Sequence, residues 1–292
     1  MSFKDPKAIT EAGTQKGAEK ARLSWDKSLV AGFLAGAYIA FGALVAITVS
    51  AGMRPEIWGG VQTFFTGAVF SLGLILVVIA GSELLTGNMA LVPLAAFRER
   101  AKFKDLAHNF AFVLLGNLLG SLFVAYFLAI ESGVLMTEMN LERLEGLAHK
   151  KAVEETEWQI FLRAVGCNWL VCLAVWMALA AEDVAGKILA IFFPIMAFVA
   201  LGFDHVVANM FFIPAAIFAG ADDISWWDAL HNWLFAFGGN LVGAAVFVAG
   251  AYWYLYAQPE ETQPQEPQPG DEPATNGDSG RFEPGDRQTV TR

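Results

Sequence analysis

The chain has 292 residues, of which 55% are hydrophobic and only 16% are charged. Soluble globular domains carry about 25% charged residues, so this composition excludes an ordinary soluble domain and predicts a chain surrounded largely by lipid. The net charge at pH 7 is −10. Eight acids and three arginines lie in residues 258–292 together with six of the 11 prolines, a composition typical of a disordered tail.

Six apolar stretches follow a polar N-terminal segment. A bilayer core of roughly 30 Å takes about 20 apolar residues per helix. The predicted spans are residues 29–51, 61–97, 106–130, 160–181, 188–217 and 231–257. We therefore divide the chain into an N-terminal segment (1–28), an all-α six-span domain (29–257) and the acidic, proline-rich tail (258–292).

The distribution of lysine and arginine predicts the orientation of these spans. Fourteen basic residues fall on the side of the N-terminus, and four fall in the loops of the other side. Basic residues concentrate in cytoplasmic segments. We therefore expect a multi-pass protein of the cytoplasmic membrane with both termini in the cytoplasm.

Spans 2 and 5 are too long for single helices. At ~1.5 Å per residue they would extend about 55 Å and 45 Å. Each contains glycine, an acid and an amide near its centre, in residues 81–88 and 202–209. Polar, glycine-containing backbone at that depth is tolerated where a cavity is lined, so both spans are predicted to be broken helices.

Two motifs occur in both halves of the chain. One pairs residues 81–93 with 202–214 at an offset of 121, and the other pairs residues 108–120 with 231–243 at an offset of 123. The matching positions are Gly81/Gly202, Glu83/Asp204, Asn88/Asn209, Pro93/Pro214, Asn109/Asn232 and Asn117/Asn240. Since each half has three spans, the second is expected to be inverted relative to the first, with the solute path between the paired breaks.

Three polar residues are candidates for contact with a solute. His205 lies in the middle of span 5, where an ionisable group is expensive and usually faces a cavity or a partner; the alternative is a neutral histidine bonded to a neighbouring helix. Thr86 lies in the other break, with a hydroxyl that donates and accepts, unless it bonds its own helix. Asn168 in span 4 donates to a solute or locks helices together.

The remaining polar residues of the breaks favour structural roles. Asn88 and Asn209 are expected to fix the breaks. Glu83 and Asp204 are expected to accept from free N–H groups at the half-helix ends, since carboxylates would repel an anion. The two Gly-Asn-Leu-x-Gly segments are typical of close helix packing. The sequence contains no nucleotide-binding loop, cofactor motif or metal cluster, so we expect neither enzyme activity nor a nucleic-acid partner.

These segments resemble the formate/nitrite transporter family over residues 25–257, through the motifs at 81–88, 202–210 and 167–176. The resemblance implies an aquaporin-like protomer in a homopentamer, with one pore per subunit. By motif position it implies a pore pair of His205 and Thr86 and an amide at Asn168 that contacts the solute. It further implies an outer vestibule lysine at Lys151 or Lys150, and an apolar constriction formed by Phe70, Leu74, Leu84 and Phe198. The family commonly has glutamate where this chain has Asp204.

We therefore expect a channel for small monovalent anions such as formate or nitrite. Protonating a carboxylate with a pKa near 4 at pH 7 costs ~4 kcal/mol, less than placing a bare anion in a dry constriction. A central histidine is suited to transient protonation of the solute. The alternatives are a channel for neutral solutes such as water, glycerol or ammonia, which lacks support from paired Asn-Pro-Ala motifs, and a membrane-bound enzyme.

Overall fold

The computed structural model describes residues 3–257, so the predicted tail lies outside the described residues. Within them the chain is built from helices. They are α1 Pro6–Ala21, α2 Trp25–Ser50, α3 Pro55–Trp58, α4 Gly60–Gly81, α5 Leu85–Phe97, α6 Phe103–Glu131, α7 Glu138–His149, α8 Glu157–Ala180, α9 Val184–Ala200, α10 Val206–Ala219 and α11 Trp226–Tyr256.

Five of these helices (α2, α4, α6, α8 and α11) are long and apolar enough to cross a membrane. The first begins four residues earlier than predicted. Asp26 lies in its first turn, where the positive end of the helix dipole favours an acid. The last begins at Trp226 because Ser225 and Asp228 form a reciprocal capping box, which satisfies two N–H groups.

Both predicted breaks are confirmed. The second predicted span consists of α4 and α5, and the fifth consists of α9 and α10. Gly81 and Gly202 at the breaks have φ values of +85° and +71°, a conformation that glycine adopts without a steric penalty. Short extended segments, residues 82–84 and 203–205, join the half-helices.

Glycines bring the long helices into backbone contact. A Cβ atom added at Gly120 of α6 would lie 2.0 Å from the carbonyl oxygen of Phe33 in α2, and one at Gly243 of α11 would lie 2.3 Å from that of Val165 in α8. No side chain fits at such distances. The predicted packing role of the two Gly-Asn-Leu-x-Gly segments is therefore confirmed.

Two polar helices, α1 and α7, were not predicted from the sequence. α1 packs on α5, and α7 packs on α10. The carboxylate of Glu11 accepts from Arg98 and Arg100 at 2.7 Å each, which fastens α1 to the loop after α5. Asp5 followed by Pro6 was an available signal, since an acid at the N-cap and proline at the first position favour a helix start.

Candidate functional site

One buried asparagine holds each break from the neighbouring long helix. Asn117 and Asn240 make the same three hydrogen bonds, in which Oδ1 accepts from the first N–H of a half-helix and Nδ2 donates to two carbonyls. The bonds of Asn117 join Leu85 N (2.9 Å), Gly32 O (2.8 Å) and Glu83 O (2.9 Å), and those of Asn240 join Val206 N (2.9 Å), Ala164 O (2.8 Å) and Asp204 O (2.9 Å).

A second network beside each break joins a lysine, an acid and two amides. In the first half, Lys20 donates to Glu83 at 2.8 Å, Asn88 donates to Glu83 at 2.8 Å and to Asn109 at 2.9 Å, and Asn109 donates to the carbonyl of Lys20 at 3.0 Å. These bonds close a ring of four side chains around the start of α5.

The second half repeats this ring. The bonds are Lys151 to Asp204 (2.7 Å), Asn209 to Asp204 (2.9 Å), Asn209 to Asn232 (2.8 Å) and Asn232 to the carbonyl of Lys151 (2.9 Å). The expectation that the two acids accept from free helix N–H groups is therefore wrong, because their carboxylates accept from lysine and asparagine. The internal repeat already aligned both amide pairs, whereas Lys20 lay outside any motif.

His205 is the last residue before α10, and its hydrogen bonds define its tautomer. The N–H of Ala208 donates to Nδ1 at 3.1 Å, so Nδ1 carries no hydrogen and the neutral ring has its hydrogen on Nε2. Nε2 lies 2.9 Å from Oγ1 of Thr86. The structure therefore brings together the two residues predicted as a pore pair, with His205 as the donor.

All four predicted constriction residues are buried, and one of them lies next to this pair. Phe70 and Phe198 meet edge to face with ring centroids 5.8 Å apart, and Phe198 lies against His205 at 5.9 Å. Leu74 and Leu84 are also buried. We call the set of six buried residues Phe70, Leu74, Leu84, Thr86, Phe198 and His205 the waist.

Two cavities meet the waist, and among the described residues none lines both. The α1 cavity, about 450 Å³, reaches Leu74 and Leu84; the α7 cavity, about 350 Å³, reaches Phe70, Phe198 and His205. Both have a surplus of basic residues. The charged residues lining the α1 cavity are Lys16, Lys20, Lys27, Lys187, Glu19 and Glu83, and those lining the α7 cavity are Arg143, Lys150 and Lys151. Positive walls in a chain of net charge −10 concentrate anions at both ends of the waist.

Asn168 is fully buried and lines neither cavity. Its Nδ2 donates to the carbonyls of Thr86 at 3.1 Å and Asn240 at 2.8 Å. Of the two roles left open by the sequence, these bonds favour the helix lock. Asn168 positions Thr86 through its backbone.

The two vestibule candidates, Lys150 and Lys151, both line the α7 cavity. Lys150 is exposed, and Lys151 is buried against Asp204. Arg143 is a third cation lining this cavity, and it was not predicted from the sequence. Its Nε donates to Oγ of Ser50 at 3.0 Å. Burial lowers the pKa of Arg143.

Comparison with known proteins gives the family. The sequence model of a protein family described as "Formate/nitrite transporter" matches residues 7–254 of this chain. A "Probable formate transporter" from Methanothermobacter thermautotrophicus is 46% identical over 87% of this chain and 98% of its own, and "Formate channel BtFdhC" from Bacillus thuringiensis is 41% identical over 88% and 97%. "Nitrite transporter NirC" from Salmonella typhimurium is 34% identical over 85% and 91%.

A solved structure supports the same assignment. It is described as "Pentameric formate channel with formate bound" and matches with a TM-score of 0.71 at 30% identity, over 80% of this chain and 98% of its own. Together with the broken helices and the waist, these matches show that the chain belongs to the formate/nitrite transporter family.

Proposed function

We propose that this chain forms a homopentameric formate channel of the cytoplasmic membrane, with one pore in each subunit. The observation that carries the proposal is the pair of basic cavities separated by the waist, which holds one imidazole N–H and one hydroxyl. Basic cavities attract an anion from either side, and an apolar neck with a single donor–acceptor pair passes only a small solute.

Formate is favoured over nitrite as the solute. The relatives named for formate alone are 41% and 46% identical to this chain, whereas relatives named for nitrite alone are 33% and 34% identical. Formic acid is also a weaker acid than nitrous acid, so formate takes up a proton more readily than nitrite does, which suits passage as the neutral acid.

We further propose that formate crosses the waist with transient protonation at His205. Carrying the neutral acid costs ~4 kcal/mol at pH 7 for a carboxyl group with a pKa near 4, whereas a bare ion in a dry neck costs more. The resting imidazole donates from Nε2. A second proton has to displace the N–H of Ala208 from Nδ1, so imidazolium is restricted to a short-lived state.

Flux into liposomes containing the purified full-length protein tests the proposal. Formate, nitrite and glycerol are offered separately at equal concentration, with empty liposomes as the control. We expect formate to enter fastest, nitrite more slowly and glycerol no faster than in empty liposomes. Glycerol entry at the rate of formate would support the neutral-solute alternative and contradict the proposal.

Orientation is tested by cysteine labelling. A single cysteine at Glu142 of α7 and, in a separate variant, one at Glu266 of the tail are exposed to an impermeant thiol reagent in intact cells. The native cysteines, Cys167 and Cys172, are buried. The proposed topology predicts labelling at position 142 alone, and labelling at position 266 would contradict it.

A further inference from the structure

The lysine–acid pair beside the second break has an additional carboxyl group that the first half lacks. Glu155 precedes α8, is 8% exposed and is bonded to Arg163. Asn117 bonds the carbonyl of Gly32, and Asn240 bonds the carbonyl of Ala164. Each residue of α2 therefore corresponds to the residue of α8 that lies 132 positions later. The first-half positions equivalent to Glu155 and Arg163 are therefore Leu23 and Ala31.

The hydrogen bonds of the two acids differ accordingly. In Glu83, one oxygen accepts from Lys20 and the other from Asn88. In Asp204, both the lysine and the asparagine donate to Oδ1. Oδ2 of Asp204 is thereby left without a donor, and Glu155 is the neighbouring acid that interacts with Asp204.

Three buried acceptor oxygens in this cluster have no hydrogen-bond donor within the described residues, 3–257. They are Oε2 of Glu155, Oδ2 of Asp204 and Oδ1 of Asn209. A carboxylate cannot donate to a carboxylate, so a contact between Glu155 and Asp204 requires a proton between them. Buried acceptors without a donor are costly, and two interacting buried carboxylates favour the sharing of one proton.

The charges of the cluster depend on that proton. Lys151 and Arg163 are positive, and Asp204 and Glu155 are both negative when ionised, so the deprotonated cluster is neutral. With one proton it carries a charge of +1. The other charged groups nearby, Lys150 and Arg143, line the same α7 cavity, and His231 is paired with Glu157 outside it.

We propose that Glu155 and Asp204 hold a shared proton, and that this proton makes the cluster cationic and thereby draws an anion into the α7 cavity. The proposal rests on the proposed anion-channel function. The proton comes from solution and returns to it, and no bond other than that to hydrogen is made or broken. Glu155 thus links anion entry to proton binding.

The electrostatics of Glu155 agree with this role. Burial and the neighbouring Asp204 raise the pKa of Glu155 to about 7, against the opposing effects of Lys151 and Arg163. The protonated fraction therefore falls from about nine-tenths at pH 6 to about one-tenth at pH 8. If recruitment follows that fraction, the half-saturating formate concentration rises about tenfold over this interval.

Infrared difference spectra of the full-length protein in liposomes test the shared proton directly. We expect the carbonyl band of a protonated carboxyl group to disappear with a midpoint near pH 7 in the wild type and in Glu154→Gln, a matched change at the exposed neighbouring acid. Glu155→Gln should lack the band. Arg163→Gln, which removes a cation beside Glu155, should raise the midpoint. A wild type without the band, a band that persists in folded Glu155→Gln, or an unmoved midpoint in Arg163→Gln would overturn the proposal.

Formate uptake by the same liposomes tests recruitment. The half-saturating concentration should rise about tenfold from pH 6 to pH 8 in the wild type and in Glu154→Gln, and should stay at the lower value in Glu155→Gln. A tenfold rise that persists in folded Glu155→Gln would contradict the proposal. Since the infrared band needs no transport, its absence removes the shared proton whatever the solute is, whereas a band without formate uptake would contradict the proposed function instead.

Discussion

The two halves of the molecule share the hydrogen-bonded framework that holds the breaks and differ in the residues of the waist. Each break is held by an asparagine with the same three bonds and by a ring of lysine, acid and two amides. At the waist, the residues at equivalent positions of the two halves differ. His205 and Thr86 match Leu84 and Val207 at the offset of 121. The repeated residues build two broken helices, and the residues that do not repeat supply the polar groups between them.

A third difference explains how the polar pair is held. Asn168 matches Gly36 at the offset of 132. A Cβ at Gly36 would lie 2.1 Å from the carbonyl oxygen of Asn117, so α2 covers that carbonyl with its own backbone. On the other side the side chain of Asn168 donates to the carbonyl of Asn240 and also reaches Thr86. A packing position in one half thus becomes a support for the pore pair in the other.

The largest expected effect is loss of the shared framework. Asn117→Ala and Asn240→Ala each remove three hydrogen bonds to buried backbone groups, and a buried group left without any partner costs about 1–3 kcal/mol. Both variants should lose most of the assembled protein in size-exclusion chromatography and melt at a clearly lower temperature. A well-assembled Asn240→Ala beside a collapsed Asn117→Ala would show that the two networks do not carry equal roles.

The next effect concerns the pore pair. Thr86→Val preserves shape and removes the hydroxyl that pairs with Nε2 of His205. A lost buried hydrogen bond of about 1–3 kcal/mol corresponds to a reduction of roughly 5- to 150-fold in formate flux.

The matched control is Val207→Thr, at the equivalent position of the other half. It adds a hydroxyl in a buried position and leaves both residues of the pair unchanged. Its flux should stay near that of the wild type when normalised to folded protein. Equal losses in the two variants would mean that the hydroxyl of Thr86 has no special part in transport.

Much of the framework could be predicted from the sequence, because it repeats. The offset of 121 placed both breaks, and the offset of 123 placed both asparagine pairs. Charge and length also gave the spans to within a few residues. Repetition is visible without coordinates, so the paired glycines, acids and amides of the two motifs were accessible.

The rest of the site could not be predicted because it depends on contacts across the chain. Lys20 and Glu155 lie in polar segments with no motif, and their roles follow from partners 63 and 49 residues away. Three-dimensional packing likewise decides which groups bond the carboxylates of the acids. It also decides which two backbone carbonyls accept from Asn168. His205 and Thr86 were identified from their place in the breaks and from the family resemblance, but the tautomer follows only from the bond to Ala208.

A smaller effect is expected at the aromatic neck. Phe198→Ala removes a ring that contacts both Phe70 and His205, which widens the waist. Acetate and lactate should then enter liposomes faster relative to formate. Phe193→Ala is the matched control, since Phe193 lies on the same helix and is 59% exposed. Unchanged selectivity in folded Phe198→Ala would place the selective step elsewhere.

The smallest effect is expected from the tail, which belongs to neither half. Removal of residues 260–292 takes away charge but no residue of the framework or the waist. Formate flux and the pentamer in size-exclusion chromatography should both match the full-length protein. A monomeric or inactive truncation would show that the two halves are not sufficient.

The central claim is that His205 exchanges a proton with the solute at the waist, and the pH dependence of formate flux through His205→Asn tests it most directly. Asparagine keeps a hydrogen-bond donor and a similar size, but it does not titrate. Flux is measured in liposomes between pH 5 and pH 8, the range in which an ordinary histidine changes charge, with the melting temperature recorded for each variant. To remove the contribution of Glu155, the comparison is made in a Glu155→Gln background. The account predicts reduced flux in His205→Asn with most of the remaining pH response gone, and a folded variant with the flux and pH profile of its parent would contradict it.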